Sequence, residues 1–417
     1  MLARWLGVAA LAAASASLAG CAGAPSSDIA EATGGQLAIY SSLPLQGPSA
    51  AISQQIVGGE KLALADAGGR AGAFKIGYVS LDDANPATGE WSPDVTSTNA
   101  KTAAEDTSTI AYIGDFDSGA TAVSLPIMNA AGVLQVSPGS PYEGLTSPLD
   151  AGQDEPERFY LSGKRTFARL LPGDAAQAAA QTKLMSSLGV HKLYVLDDEN
   201  AFEVPLADLV AADATSVGIK VSAHDSIATN AGASYSGEIE KILESKAQAV
   251  FYAGGGGAGT VVLWRALHKA DPQLLLLGSS AMASESFTSK ISAAANVTYL
   301  STPVLPVNLY PSSGQDVLSD YVKTFGGEAG PYVLYGYEAM TLVLDAIRDA
   351  GSAGDDRQTI INRVLATRNR ESVLGRYSIA ANGETTLSRY GIDTVQEGRP
   401  VFYRAIEVGR AAVSAGG

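Results

Sequence analysis

Cysteine is almost missing from this chain: of its 417 residues, Cys21 alone carries a thiol. A disulfide within the chain is excluded, so the fold must rest on its cores. Histidine is nearly as scarce, with 3 residues, and His191, His224 and His268 stand singly in the sequence. None has another histidine or the cysteine at metal-ligand spacing, so structural or solvated roles are expected and no metal or cofactor. Charged residues make up only 17% and sum to −15, which argues against nucleic acid and against adhesion to anionic headgroups. No G-x-S-x-G nucleophile elbow occurs. Asp82-Asp83 and Asp197-Asp198 pair carboxylates, but strand-end turns use aspartate routinely, and no companion base or metal cluster accompanies them. These gaps leave an exported hydrolase as a weak alternative, and the chain is expected not to be an enzyme.

Long apolar runs are also lacking beyond the N-terminus. Arg4 precedes an alanine-rich stretch from Leu6 to Ala19, too short for the roughly 20 residues that span a bilayer. A basic start, a short apolar run and small residues before a cleavage point make residues 1–20 an export signal. The segment Leu18-Ala19-Gly20-Cys21 resembles the lipobox of bacterial lipoproteins, which implies lipidation of Cys21 and a membrane anchor. Residues 21–35, small and polar, suit a flexible tether. The mature protein is expected at the outer face of the cytoplasmic membrane or in the periplasm, where NAD and ATP are scarce.

What is present is a globular composition, 46% hydrophobic, in a length that favours two domains. Short apolar runs at 37–42, 75–81, 109–114 and 133–137 alternate with helical stretches such as 49–67, where Ile52, Ile56, Ala63 and Ala67 share a face. The pattern recurs at 193–197, 219–223, 249–253, 274–278 and 298–302. Buried strands alternating with helices imply parallel sheets covered on both faces, here in two similar α/β lobes. Gly336, Met340, Val343, Leu344 and Ile347 mark a long helix that Gly351 should stop. Asn382-Gly383 is a hairpin signal.

Glycines are plentiful, and Gly254, Gly256 and Gly259 fit G-x-G-x-x-G behind the strand at 249–253. A dinucleotide fingerprint also needs an acid about 20 residues on, at the end of the next strand. That strand ends in Gly278-Ser279-Ser280, without one. A second loop, Gly114 to Thr121, joins a strand to a helix whose start Ser118 is placed to cap. Free amides of Gly119, Ala120 and Thr121 at such a helix end would attract a carboxylate, contributing up to about 2 kcal/mol.

Several blocks together, "LPLQGPSA", "SLDDANP", "YIGDFDSGATAVSLPIMNAAGVLQVSP", "GPYVLYGYEAMTLVLDAI" and "SVLGRYSIAANGETTL", resemble the substrate-binding proteins of branched-chain amino-acid-type ABC importers. The resemblance runs along the whole mature chain and implies the type I periplasmic binding fold. Two doubly wound parallel-sheet lobes would be joined by a three-crossover hinge: lobe 1 from 36–170 plus 303–385, lobe 2 from 171–302 plus 386–412. In such relatives the serine equivalent to Ser118 and the following amides hold a ligand carboxylate, which implies the same role for Ser118. A small residue and a threonine usually follow Ser-Pro-x; here Ser140 keeps a hydroxyl while Pro141 replaces the threonine. Tyr142 is a candidate cleft wall or ordinary lobe packing. Phe202 stands where relatives often have a tyrosine that closes over the ligand; it is a candidate aromatic wall without the hydroxyl, or a plain core phenylalanine. Gly255 and Gly256 leave only backbone in a wall segment, so the glycine loop is expected to shape a ligand cleft.

One departure concerns charge. Amino-acid-binding relatives place an acid two positions beyond the glycine of "LLLLG" to pair with the ligand's ammonium, and this chain has Ser280. Either Asp115, Asp117 or Glu285 takes over, or the ligand carries no amine. The expectation is a monomeric, lipid-anchored receptor that gives a small polar metabolite (amino acid, amide or short carboxylate) to ABC permease subunits. A surface sensor for a signalling partner is the alternative.

Overall fold

A computed structural model describes residues 35–409 apart from 150 and 231. The proposed signal, Cys21 and the tether up to residue 34 lie outside the described residues, as do 410–412. Among the described residues no helix is long and apolar enough to cross a membrane.

Strands β1 (Gln36–Leu43), β2 (Arg70–Ala71), β3 (Phe74–Asp82), β4 (Thr109–Gly114), β5 (Leu134–Ser137) and β6 (Phe167–Arg169) form one sheet in the order β2-β3-β1-β4-β5-β6. All its pairings are parallel except the short β2–β3 ladder. The second sheet contains β7 (Lys192–Asp197), β8 (Lys220–Ser226), β9 (Ala249–Ala253), β10 (Leu275–Gly278) and β11 (Thr298–Thr302), again parallel. A separate two-stranded ribbon pairs β12 (Arg370–Ser372) with β13 (Gly375–Tyr377). The antiparallel hairpin of β14 (Arg389–Gln396) and β15 (Arg399–Glu407) extends the second sheet beyond β11.

Side chains alternate between two apolar layers, which is why the strands read as unbroken hydrophobic runs. Leu37 and Ile39 enter one core of the first sheet while Ala38 and Tyr40 enter the core on its other face. In the second sheet Leu193 and Val195 face one core, Tyr194 and Leu196 the other. Helices α1 (Ala50–Asp66), α2 (Pro93–Glu105) and α3 (Ser118–Ala130) cover the first sheet. Those covering the second are α4 (Asp174–Ser187), α5 (Val204–Ser216), α6 (Ser236–Ser245) and α7 (Ala258–Ala270). After the short α8 (Glu285–Thr288), the chain returns to the first core with α9 (Ser312–Phe325), α10 (Tyr332–Ala350) and α11 (Arg357–Leu365).

The chain thus passes three times between lobes: from β6 to α4, from β11 to α9, and from β13 to β14. Arg169, at the end of β6 and fully buried, ties the first passage to the third through Glu384. Its guanidinium also donates to Thr146 Oγ1 and to the carbonyls of Ser140 (2.8 Å) and Tyr142 (2.9 Å). Asn382-Gly383 forms a tight turn closed by Gly383 N donating to Ala380 O, but its arms share only the single bridge Ile379–Thr385. The extended hairpins lie on either side of it, at β12–β13 and β14–β15. The latter turns at Glu397 and Gly398, both with positive φ.

Candidate functional site

In open parallel α/β sheets ligands bind outside the carboxyl ends of the strands, so the loops after those ends are the candidate site. On the first lobe Asp117, not Ser118, occupies the N-cap position of α3, and Ser118 is the first helical residue. With the helix starting there, Asp117 O accepts the amide of Thr121 (3.0 Å), which leaves that N–H unavailable to a ligand. No side chain caps the helix end. The hydroxyl of Ser118 accepts from Tyr142 N (3.3 Å), linking the first loop to the second.

Gly119 is buried because Trp91 lies against it and Phe202 reaches it from the other lobe. A Cβ there would come within 3.1 Å of the Phe202 ring. Tyr142 receives the same ring edge-on, with centroids 5.2 Å apart and planes at 88°, while its hydroxyl donates to Glu155. Ser118, Gly119, Tyr142 and Phe202 therefore meet at one point where the lobes touch, and Ala120 is buried directly behind. Thr121 and Ser140 are buried deeper. Their hydroxyls bond each other at 2.6 Å and brace the backbone of Asp115, by its amide and its carbonyl respectively.

On the second lobe Gly255 is exposed; its amide donates to Asp198 Oδ2 (3.2 Å) and its carbonyl accepts from Thr260 (2.7 Å). Gly256 lies against Phe287, where a Cβ would stand 2.8 Å from the phenylalanine Cβ. Ser280 follows β10, and its amide donates to Gln177 Oε1 (2.7 Å). Gln177 in turn donates to Asp174 Oδ1 (2.9 Å), so one glutamine fixes both the turn after β10 and a buried acid at the start of α4. Gly255, Gly256 and Ser280 are not in the Phe202 contact; they line the second lobe's own strand ends.

Acidic groups dominate the electrostatics. Asp83, with neither carboxylate oxygen bonded, lies close enough to Asp115 and Asp117 to feel both charges. Burial first, and then these like charges, push Asp83 and Asp115 upward from the ordinary range. Asp117 rises to about 6 through burial and the nearby Glu90. Asp115 spends its carboxylate on Tyr112, Ser124 and Gln135, and Glu285 pairs with Arg399 at the surface. Across the cleft, Glu203 directly follows Phe202. Burial, with Asp174 and Asp198 adding repulsion, raises it to about 8. Trp91, Glu203, Asp174, Arg169 and Tyr390 escaped the sequence reading. Only Glu203 left a signal there, as an acid inside the apolar run "AFEVPL".

Both ring nitrogens of His224 face carboxylates, Asp197 at 2.8 Å and Asp208 at 3.3 Å. Among the described residues no group of three or more His, Cys, Asp or Glu is placed to hold a metal ion.

A two-lobed α/β molecule with three interlobe passages has the architecture of a hinged binding protein. The pattern of the periplasmic binding protein family runs through residues 41–398, and the chain belongs to that family. Among curated relatives, "Leu/Ile/Val-binding protein homolog 3" of Brucella melitensis is 26% identical over 320 residues, 75% of this chain and 78% of the relative. A leucine-binding protein from Thermotoga maritima superposes with a TM-score of 0.72 at 20% identity, over 89% of this chain and 99% of that one. A solute-binding protein of an ABC transporter from R. palustris, in complex with benzoate, gives 0.68 at 15% identity over 89% and 97%. The fold is thus shared with solved binding proteins. Family membership places the chain outside the cytoplasm and makes it a binding protein, not an enzyme.

Proposed function

We propose that this protein captures a small polar metabolite, an amino acid, amide or short carboxylate, between its lobes and delivers it to an ABC importer. Binding energy stabilises the closed form, and only differential affinity for that form can move the hinge. The observation that carries this reading is Phe202, which crosses from the second lobe to cover Gly119 and Tyr142 of the first. A ligand held beside that contact touches both lobes at once. The names of similar proteins support a small-molecule ligand and a transporter partner.

In this reading lobe 1 comprises 36–170 plus 303–385 and lobe 2 comprises 171–302 plus 386–412. The receptor acts as a monomer. Lipid on Cys21 anchors it, so Cys21→Ser should move the protein from the membrane to the soluble fraction.

Ser118, with the amides of Gly119 and Ala120, forms the first wall; Tyr142 and Phe202 close it, and Gly255, Gly256 and Ser280 form the opposite wall. The direct test is a thermal-shift screen of amino acids, amides and short carboxylates, followed by calorimetry. A ligand at 100 times its dissociation constant should add about 2.7 kcal/mol of stability. Ser118→Ala should weaken that ligand up to about tenfold, through the lost hydroxyl and the loosened Tyr142 loop. No stabilisation by any member of the three classes would refute the proposed ligand range.

A further inference from the structure

Resting on the receptor reading above, we infer that Glu203 and Tyr390 form the subsite for a positively charged group of the ligand, an organic ammonium. Oε2 of Glu203 is inaccessible and has no well-formed hydrogen bond, and neither has the fully buried hydroxyl of Tyr390. A buried polar atom left unpaired is strongly disfavoured, and more so when it bears charge. The two unsatisfied atoms belong to one neighbourhood, because the charge of Glu203 acts on Tyr390 and Asp174 acts on both.

That neighbourhood is the cleft edge of the second sheet. Ser279 and Ser280, directly after β10, lie within hydrogen-bonding influence of Glu203 and Tyr390 respectively, and each eases the deprotonated form of its neighbour. Asp198 follows β7, Tyr252 belongs to β9, and Asp174 opens α4. The charges acting on Glu203, those of Asp174 and Asp198, are both negative. Arg169 draws Asp174 the other way, but its own donors are taken by Glu384, Thr146 and two carbonyls. Asp117 sits on the opposite wall at the head of α3, and the Tyr332 ring lies near enough to influence Tyr390. An incoming anion meets repulsion from both sides, whereas an ammonium gains a carboxylate, a phenol oxygen and aromatic faces.

This assignment also accounts for Ser280. Its amide is held by Gln177, which simultaneously orients Asp174, so the acid comes from position 203 beside the wall aromatic instead of from position 280. Burial, then Asp174 and Asp198, keep Glu203 protonated at neutral pH in the free protein, with a pKa of about 8. A cation must displace that proton. Affinity should climb up to about tenfold per pH unit between pH 6 and 8, level off above, and release about one proton per ligand. The titratable groups facing Glu203 that take part are Asp174, Asp198, Tyr252 and Tyr390.

The experiment uses the full-length protein and matched probes differing in the ammonium: L-leucine with isocaproate, L-phenylalanine with hydrocinnamate, and choline with dimethylbutanol. Melting shifts at pH 8 should favour the ammonium-bearing member of at least one pair. Glu203→Gln should weaken that member about 100-fold and abolish the pH slope and proton release, while Glu203→Asp keeps both in part. Equal shifts from both members of every responding pair, or unchanged affinity in Glu203→Gln, would overturn the cation assignment and leave the receptor reading standing. Silence from all pairs would overturn the cation assignment, while the wider screen of amino acids, amides and short carboxylates decides the receptor reading separately.

Discussion

Arg169 shows how one side chain governs both hinge and site. It is buried with Glu384 and holds two carbonyls of the Ser140–Tyr142 loop, so its removal leaves an unpaired acid and two unmatched acceptors. Breaking such a buried pair is strongly destabilising, so Arg169→Met should lower unfolding free energy by about 3–5 kcal/mol in urea melts. At Glu203 the sign is different. Its folded pKa of about 8 lies above the ordinary glutamate value of 4.5. The protonated form is therefore favoured by folding; its stabilising effect is complete below about pH 4.5 and lost as pH rises through 8. Wild type should lose more stability than Glu203→Gln between pH 5 and 9 when melting is followed across that window. Asp117 and Asp174, both raised to about 6, add the same slope over a lower range in either protein.

Helices α1 and α10 depend on missing side chains. A Cβ on Gly59 would strike the carbonyl of Val333, and one on Gly336 the carbonyl of Ile56, so the two backbones cross in contact. Glycine inside a helix normally costs about 1 kcal/mol relative to alanine, and here the close packing offsets that loss. Gly336→Ala should therefore destabilise by about 1–3 kcal/mol despite improved helix propensity, as denaturant midpoints would reveal. The apolar rows of α10 were legible in sequence because a 3.6-residue period survives without neighbours. The hairpin β14–β15 was not, since its half-buried strands lack the continuous apolar run that marks β7 or β9.

The whole molecule is two cores joined by three crossings, with Phe202 bridging the gap. Ligand binding should contract it, so the radius of gyration from small-angle scattering should fall on saturation. Phe202→Ala should weaken the ligand up to about tenfold by removing the aromatic edge contact with Tyr142. Sequence alone determined the alternating strand and helix order, the two-lobed class and the loops after strand ends, because burial writes its periodicity directly into residue order. Only tertiary structure decided which acids remain unpaired at the cleft and that α3 begins at Ser118 behind Asp117. It also decided that Thr121 and Ser140 brace a loop instead of facing the opening. Those outcomes depend on distances between residues far apart in the chain, such as Arg169 and Glu384 or Glu203 and Tyr390, and local order carries no record of them.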